Sequence, residues 1–514
     1  MMTQIYQQAH SVNIWLGLET ASSSRGIDLL NLVDLVWDTF NNRLPPARKR
    51  LEEEWLKSML PEGQSSKDPA LWNGLIEILR RPYWTRRWII QELVVTPHPE
   101  RIQLLCGNKK ASFQIFSRVL RRLHGIHDAT PHSERKQKST ISEIAYESTY
   151  ADVIGDHVKS WGEGNKNEHG VGLLRLLHDY HPSLCSDARD RVYALLGVAL
   201  PYEGVELDIS YTIPETEVYK NTAKYLIQGS KRLDVLLFCQ NSPERRSERQ
   251  PSWVPDWRRY DRTDRLIRYC RTIEGAWDSA GTLSAAATFS SDGNILRTRG
   301  YVIGTVTSKY DSHNDLLDSN PNSLKKVLSL WLTYATIIKD ITTELSADTV
   351  EAFYETVVCT RYGPDRSRKS RLREFHKFCL MCWNDRDPLG RKGSLPVNLE
   401  TMGWSLSRST LEKIIVKNRQ LCAVKTIPVR EASKARSWLA KRNAPLDFTD
   451  NMRMGLCTPW AEVGDTVVVI PGCRHPVLLR KAGKRYELID EIYVHGFMRG
   501  EAIGKFTEVE VELK

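Results

Sequence analysis

The sequence has no phosphate-binding loop of the form G-x-x-x-x-G-K-[ST], no serine-hydrolase elbow and no metal-ligand motif. These absences remove the commonest routes to nucleotide hydrolysis, acyl transfer and metal chemistry. There is no long hydrophobic run either. The longest apolar-leaning stretch, Val327–Ile338 (VLSLWLTYATII), is too short to span a bilayer and carries Ser and Thr, so it reads as a core helix. The opening MMTQIYQQAHSVNIWLG lacks a charged segment followed by an apolar one, so no secretory leader is expected. Internal repeats and heptads are missing. The ten cysteines are irregularly spaced and form no disulfide framework. Cys379 and Cys382 make one C-x-x-C, with His376 three residues before it, but no second pair completes a zinc site, and buried thiols are the expectation.

What is present is globular. The chain has 514 residues, 41% hydrophobic and 26% charged, with 15 tryptophans, a count that excludes wholesale disorder. Its length calls for two to four domains. The net charge of +10 permits contact with nucleic acid or acidic membrane without requiring either, because the basic residues are scattered. The densest basic run, Arg366 to Lys377, is interleaved with Glu and apolar residues and reads as a solvated helix face. A soluble, cytoplasmic protein is expected.

Periodicity divides the chain. SVNIWLGL reads as a buried strand, 26–44 as a helix, Leu71–Leu79 as a second helix, Tyr83–Val95 as a third opened by Pro82, and RIQLLCG as a strand. Residues 126–170 are polar and read as a linker or insertion. CSDARDRVYALLGVA places a capping Ser or Asp before a helix, with Asp187, Arg189, Asp190 and Arg191 in its first turns; they read as a cap with surface or interdomain ion pairs, or else as a polar site. PSWVPDW is a rigid corner in which Trp253, Pro255, Asp256 and Trp257 close a core edge. From Ile295 short strands appear, 320–420 looks helical, and the tail from Glu462 reads as an antiparallel meander that closes toward a small barrel, with His475 and His495 at its turns. The expected segments are 1–125, 126–170, 171–265, 266–420 and a β-rich 421–514, an α+β and α/β multidomain chain.

The stretch RRPYWTRRWIIQEL places Trp84, Trp88 and Glu92 at i, i+4 and i+8, which one helix would align on a single face. A carboxylate in line with two indoles serves as half of an ion pair, as a catalytic group or as part of an assembly surface. Trp84 and Trp88 are candidates for stacking on a flat ring.

The ordered motifs IYQQAHSVNIWLG, RRPYWTRRWIIQEL, LLCG, SDARDRVYALLG, LDVLLFC, PSWVPDW, GDTVVVIPG and YVHGFMRGE together resemble the fungal heterokaryon-incompatibility proteins, named for their HET domain. The resemblance runs from residue 5 to about 265 and from about 295 to 505. It implies fungal non-self recognition, cell-death signalling through protein contacts, incompatibility or immune-type protein partners and self-association. HET domains are distantly similar to TIR domains, which are flavodoxin-like α/β sheets, some of which cleave NAD. Trp88, Glu92 and Leu93 match the Trp-x-x-x-Glu-Leu pattern of the enzymatic ones. By that similarity Glu92 would be the catalytic carboxylate, with NAD a substrate and no resident cofactor. Two family blocks that precede IYQQAHSVNIWLG are not found, so a truncated, inactive copy is a further expectation. Residues 427–452 read as an insertion.

Overall fold

The computed structural model describes residues 2–41, 43–61, 69–129, 140–162, 171–239, 241–242, 250–259, 277–309, 332, 347–358, 379, 420–426 and 452–514. Among them are twelve α-helices and fourteen strands. The backbone divides into two compact units, Met1–Tyr202 with Ile209–Tyr211, and Glu203–Asp208 with Thr212–Lys514. The basic run at 366–377, the partners His376 and Cys382, and the 427–451 stretch lie outside the described residues, as does 327–338 apart from Leu332.

The first unit opens with α1 (Met2–Gln7) and β1 (Val12–Trp15). Three helices follow, α2 (Ala21–Asp38), α3 (Pro45–Met59) and α4 (Pro69–Leu79). A 3-10 turn at Pro82–Thr85 and α5 (Ile89–Val94) lead to β2 (Ile102–Cys106) and β3 (Lys109–Ser112). β1 and β2 pair in parallel, with Val12 opposite Ile102 and Trp15 opposite Leu105, and β3 returns antiparallel on β2. Alternation fixes the faces. Val12, Ile14, Ile102, Leu104, Cys106 and Ala111 are buried, where α2 and α6 (Phe113–Ala129) pack, while Asn13 and Trp15 face outward. This is a sheet covered on one face at β1.

Thr20 starts α2 with a reciprocal cap: its hydroxyl accepts from the Ser23 amide at 3.0 Å, and its own amide donates to Ser23 Oγ at 2.8 Å. α2 then crosses α4 backbone to backbone. A Cβ on Gly74 would lie 2.9 Å from Gly26 Cα and closer still to Ser22 O and Gly26 N. Only glycine allows that approach.

Within 126–170, expected as a linker or insertion, the described residues extend α6 to Ala129 and form α7 (Thr140–Glu147) and α8 (Thr149–Gly162), which pack on α4, α5 and α6. Their few apolar residues are placed at helical spacing, and Ile141, Ile144, Ile154 and Val158 are buried. The polar stretches 130–139 and 163–170 lower the average of the whole segment and conceal these helices in the sequence. The unit is completed by β4 (Val171–Gly172), α9 (Leu173–Asp179), α10 (Asp190–Leu196) and β5 (Ala199–Leu200), with β4 and β5 paired in parallel.

The second unit contains α11 (Glu215–Ser230), a 3-10 turn at Asp234–Phe238, and β6 (Thr288–Phe289) with the long β7 (Leu296–Lys309). It continues through α12 (Ala347–Val358), β8 (Gln420–Thr426), β9 (Met452–Cys457), β10 (Thr466–Val469), β11 (Val477–Ala482), β12 (Arg485–Glu491), β13 (Tyr493–Val494) and β14 (Glu508–Leu513). β10, β11 and β12 are the expected antiparallel meander, turned at Gly483 with φ +67°. β12 pairs with β14, β14 with β7, and β7 with β10, so these pairings close a ring around Ile303, Val467, Val469, Leu478 and Ile489. Where short strands were expected from Ile295, β7 is one long strand, and its length lets it serve β14, β10 and β8 in turn. PSWVPDW closes this unit's edge. Trp253 is fully buried and donates to Asn294 O at 3.0 Å, and the Ser252 hydroxyl accepts from the Leu488 amide at 3.0 Å.

The Gly26–Gly74 crossing yields a direct test. Gly74→Ala should destabilise the chain by about 1–3 kcal/mol, the cost of overpacking a close contact. Gly125→Ala in α6, where the nearest atom is Glu53 Oε1 at 3.6 Å, should gain up to about 1 kcal/mol from helix propensity. Urea unfolding of the two variants beside the wild type reads both signs.

Candidate functional site

RRPYWTRRWIIQEL does not form one helix. The 3-10 turn ends at Thr85, Arg86 is extended with ψ 135°, and α5 begins only at Ile89. The break has a local cause. Arg86 forms a parallel bridge with Leu184, whose carbonyl accepts from the Arg87 amide at 2.8 Å and whose amide donates to Thr85 O at 2.5 Å. Backbone pairing with a distant loop replaces the helical hydrogen bonds. Trp84 therefore leaves the face that carries Trp88 and Glu92, correcting the single-stripe expectation.

Each residue of the motif then has its own setting. Trp84 is buried, donates to Ile78 O at 2.9 Å and stacks on Phe116, with ring centroids 5.0 Å apart at 15°. Arg87 is 1% exposed, and its guanidinium donates to Tyr180 O, Arg191 O and, at 3.0 Å, Ser183 Oγ. Trp88 donates its indole N–H to Asp190 Oδ2 at 3.0 Å. Asp190, buried at the start of α10, takes a second hydrogen bond from the Tyr211 hydroxyl at 2.6 Å. Arg191 donates to His181 O at 2.6 Å and Ser183 O at 2.7 Å. The two motifs read separately along the sequence, WTRRWIIQEL and SDARDRVYALLG, thus form one joint.

Asp187 and Arg189 make the surface part of it. Arg189 grips Asp187 through its Nε at 2.9 Å and Nη2 at 2.7 Å, and its guanidinium lies over the Tyr211 ring at 5.3 Å. Those hydrogen bonds from Arg189, side chain first and then backbone, hold the Asp187 carboxyl below its usual range.

Glu92 is half-buried and differently served. Tyr83 Oη donates to its Oε2 over a long 3.5 Å, and among the described residues no ion pair closes on it. Burial pushes the Glu92 carboxyl above its usual range, against the opposing pull of Arg86 and the Tyr83 hydrogen bond. Burial, and next the charge of Glu92, push up the hydroxyls of Tyr83 and Tyr6. The ion-pair expectation for Glu92 therefore gives way to a carboxyl that accepts from one phenol, Tyr83, with Arg86 and Tyr6 coupled to it only through charge. Tyr6, Tyr83 and Tyr211 were not singled out in the sequence. Nothing in their local spacing marks them, since each is brought in by a different turn of chain.

In the second unit, Trp257 packs against Phe238 at 5.7 Å and Asp256 accepts from Arg258 at 2.8 Å. Pro255 O accepts from Gln250 at 2.9 Å. His475 and Glu491 form a fully buried pair, Nδ1 to Oε2 2.7 Å, and His495 lies 3.6 Å from Glu355. Cys473 is buried and burial holds its thiol well above its usual range, the opposite of an activated nucleophile. Among the described residues no group of three or more His, Cys, Asp or Glu is placed to hold a metal ion, and no helix is long and apolar enough to cross a membrane.

Two outcomes follow from the joint. Asp190→Ala leaves the Trp88 and Tyr211 donors without an acceptor and should cost about 2–3 kcal/mol, whereas Asp187→Ala should cost under about 1 kcal/mol. Unfolding followed by tryptophan fluorescence separates them. Glu92→Gln should raise the melting temperature at neutral pH. The folded chain holds the Glu92 proton more tightly than the unfolded chain, so ionisation costs stability as pH rises through the carboxylate range. The gain should vanish below the ordinary carboxylate range, where both states are protonated.

Residues 1–92, ending at Glu92, match the family model described as Heterokaryon incompatibility protein (HET). Heterokaryon incompatibility protein 6, OR allele, of Neurospora crassa is 22% identical over 372 residues, which is 64% of this chain and 52% of that protein. The chain thus spans about half the length of the curated relative it matches. No solved structure matches it. The matched segment contributes β1, the α2–α4 crossing and the Trp84–Glu92 part of the joint, so residues 1–92 are the part of the chain that carries the HET-domain match.

Proposed function

We propose that this protein acts in fungal heterokaryon incompatibility, in the cytoplasm, as a recognition component that signals toward cell death through contacts with other proteins and with copies of itself. The HET match and the incompatibility relative support the incompatibility role. The observation that supports action through contacts is the internal use of the motif. Trp84, Arg87 and Trp88 are spent on Phe116, on the 180–191 loop and on Asp190. Outside the joint the first unit exposes Trp15 at 52%, Leu18 at 77% and Leu35 at 71%, large apolar groups of the kind used at protein interfaces.

A second reading is a TIR-like cleavage of NAD at Glu92. One observation favours it: Glu92 is half-buried with its carboxyl held above the usual range, and among the described residues no ion pair closes on it. A fixed carboxylate beside a departing nicotinamide would stabilise an oxocarbenium-like transition state. The parallel β1–β2 pair, joined across α2 to α5, is the feature shared with a TIR-like sheet.

Induced expression of this chain in a fungal host, beside Glu92→Gln at matched protein level, tests both. Signalling through contacts should reduce viability equally with the two forms while cellular NAD holds steady. A fall in NAD with the wild type alone would establish Glu92 as the reacting carboxylate. Unchanged growth and NAD with both forms would overturn both readings for this chain and leave it an inactive family member.

A further inference from the structure

α1 is an unusual helix for its position. It has six residues, none of them buried, and it packs on α5. A helix this short has almost no stability of its own, and one without buried side chains gains little from apolar contact. Its hold is polar and local. Thr3 Oγ1 donates to Gln91 Oε1 at 3.2 Å, and Gln91 is anchored in turn by donating to Tyr193 O at 3.3 Å. Gly197, just past the end of α10, provides the room. A Cβ there would lie 3.0 Å from Gln91 Cδ and would overlap Thr3 Oγ1 outright. Thr3 thus sits in a notch that exists because residue 197 has no side chain.

Tyr6 stands one turn after Thr3, on the same side of α1. There its hydroxyl is partly buried and feels the charges of both Glu92 and Arg86, while its own ring acts on Tyr83. The helix that docks in the Gly197 notch therefore brings a phenol down beside the Glu92–Tyr83–Arg86 group.

We propose that α1 is a displaceable strap: it docks through Thr3 in the Gly197 notch, lies on α5 beside Glu92, and opens the half-buried Glu92 and Tyr83, next to the already exposed Arg86, when it lifts. This holds whether Glu92 serves a contact or a reaction, and it does not rest on either functional reading. The groups uncovered are a carboxyl and a phenol beside the exposed Arg86 guanidinium, a surface suited to a polar partner. The closed strap keeps them from it. Lifting costs the Thr3 hydrogen bond and a small contact area, so the two states lie close in free energy.

The test is chemical labelling of Glu92 in the full chain, with a water-soluble carbodiimide and glycinamide, read by peptide mass mapping. Gly197→Ala places a methyl in the notch and should speed Glu92 labelling roughly tenfold, about the worth of one hydrogen bond. Thr3→Ala removes the same bond without a wedge and should act in the same direction. Thr3→Cys with Gly197→Cys, oxidised to a disulfide confirmed in the mass map, should slow labelling below wild type, and reduction should restore it. Near-ultraviolet circular dichroism identifies any variant that fails to fold, and the Thr3→Ala form stands in for it. Equal labelling in the wedged, untethered and locked forms would overturn the strap.

Discussion

The buried guanidinium of Arg87 is the constraint around which the first unit is arranged. A charge at 1% exposure is costly unless its donors are met, and here two backbone carbonyls and a hydroxyl from the 180–191 loop meet them. That demand sets the path of two segments nearly a hundred residues apart. The 180–191 loop must present Tyr180 O, Ser183 Oγ and Arg191 O at one place, and Arg191 holds it in that shape by binding His181 O and Ser183 O. The RRW segment must approach closely enough for Arg86 to bridge Leu184, and so its helix breaks. Once it has broken, Trp88 is free to turn its indole to Asp190, and α5 carries Glu92 away from Trp84.

Two carboxylates within this joint show how environment decides role. Asp190 is buried yet takes one hydrogen bond from an indole and one from a phenol, both short enough to compensate for lost water. Glu92 is more exposed but has a single long hydrogen bond from Tyr83. Burial raises the Glu92 carboxyl above its usual range, against the pull of Arg86 and the Tyr83 hydrogen bond. Position in the motif does not predict this. The outcome depends on which distant side chains arrive.

The parts of the fold that could be read in the sequence are those with local causes. β1 and β2 follow from alternation and β-branched residues, α2 from its Thr20 cap and apolar spacing, and the β10–β12 meander from paired apolar runs with a glycine turn. The parts that could not be read depend on pairing across long separations. The helix break at Arg86 needs Leu184, the ring around Val467 needs β7 to reach both β14 and β10, and α7 and α8 are masked in the sequence by the polar stretches that flank them. The site was half visible for the same reason. Glu92, Trp88 and Asp190 stand out as motif residues, while Tyr6, Tyr83 and Tyr211 gain meaning only from contact. The expected flavodoxin-like sheet also meets a specific observation. Strands buried on both faces read as continuous apolar runs, whereas Val12–Trp15 alternates buried and exposed down its length.

A motif that is rigid can be rigid for its own sake or for the sake of a neighbour. In this chain Trp84 and Arg87 of RRPYWTRRWIIQEL are committed to the interior and Trp88 is tied to Asp190, and these commitments hold α5 in place. What that rigidity holds in place is the exposed side of α5, where Glu92 meets Tyr83 and the weakly held α1. The firm and the loose elements therefore meet at one carboxylate. A surface built that way can present Glu92 in one defined geometry each time α1 departs, because nothing behind it moves. Recognition by contact and chemistry at a carboxylate both need that property, which is why the joint can be described completely before the two are told apart.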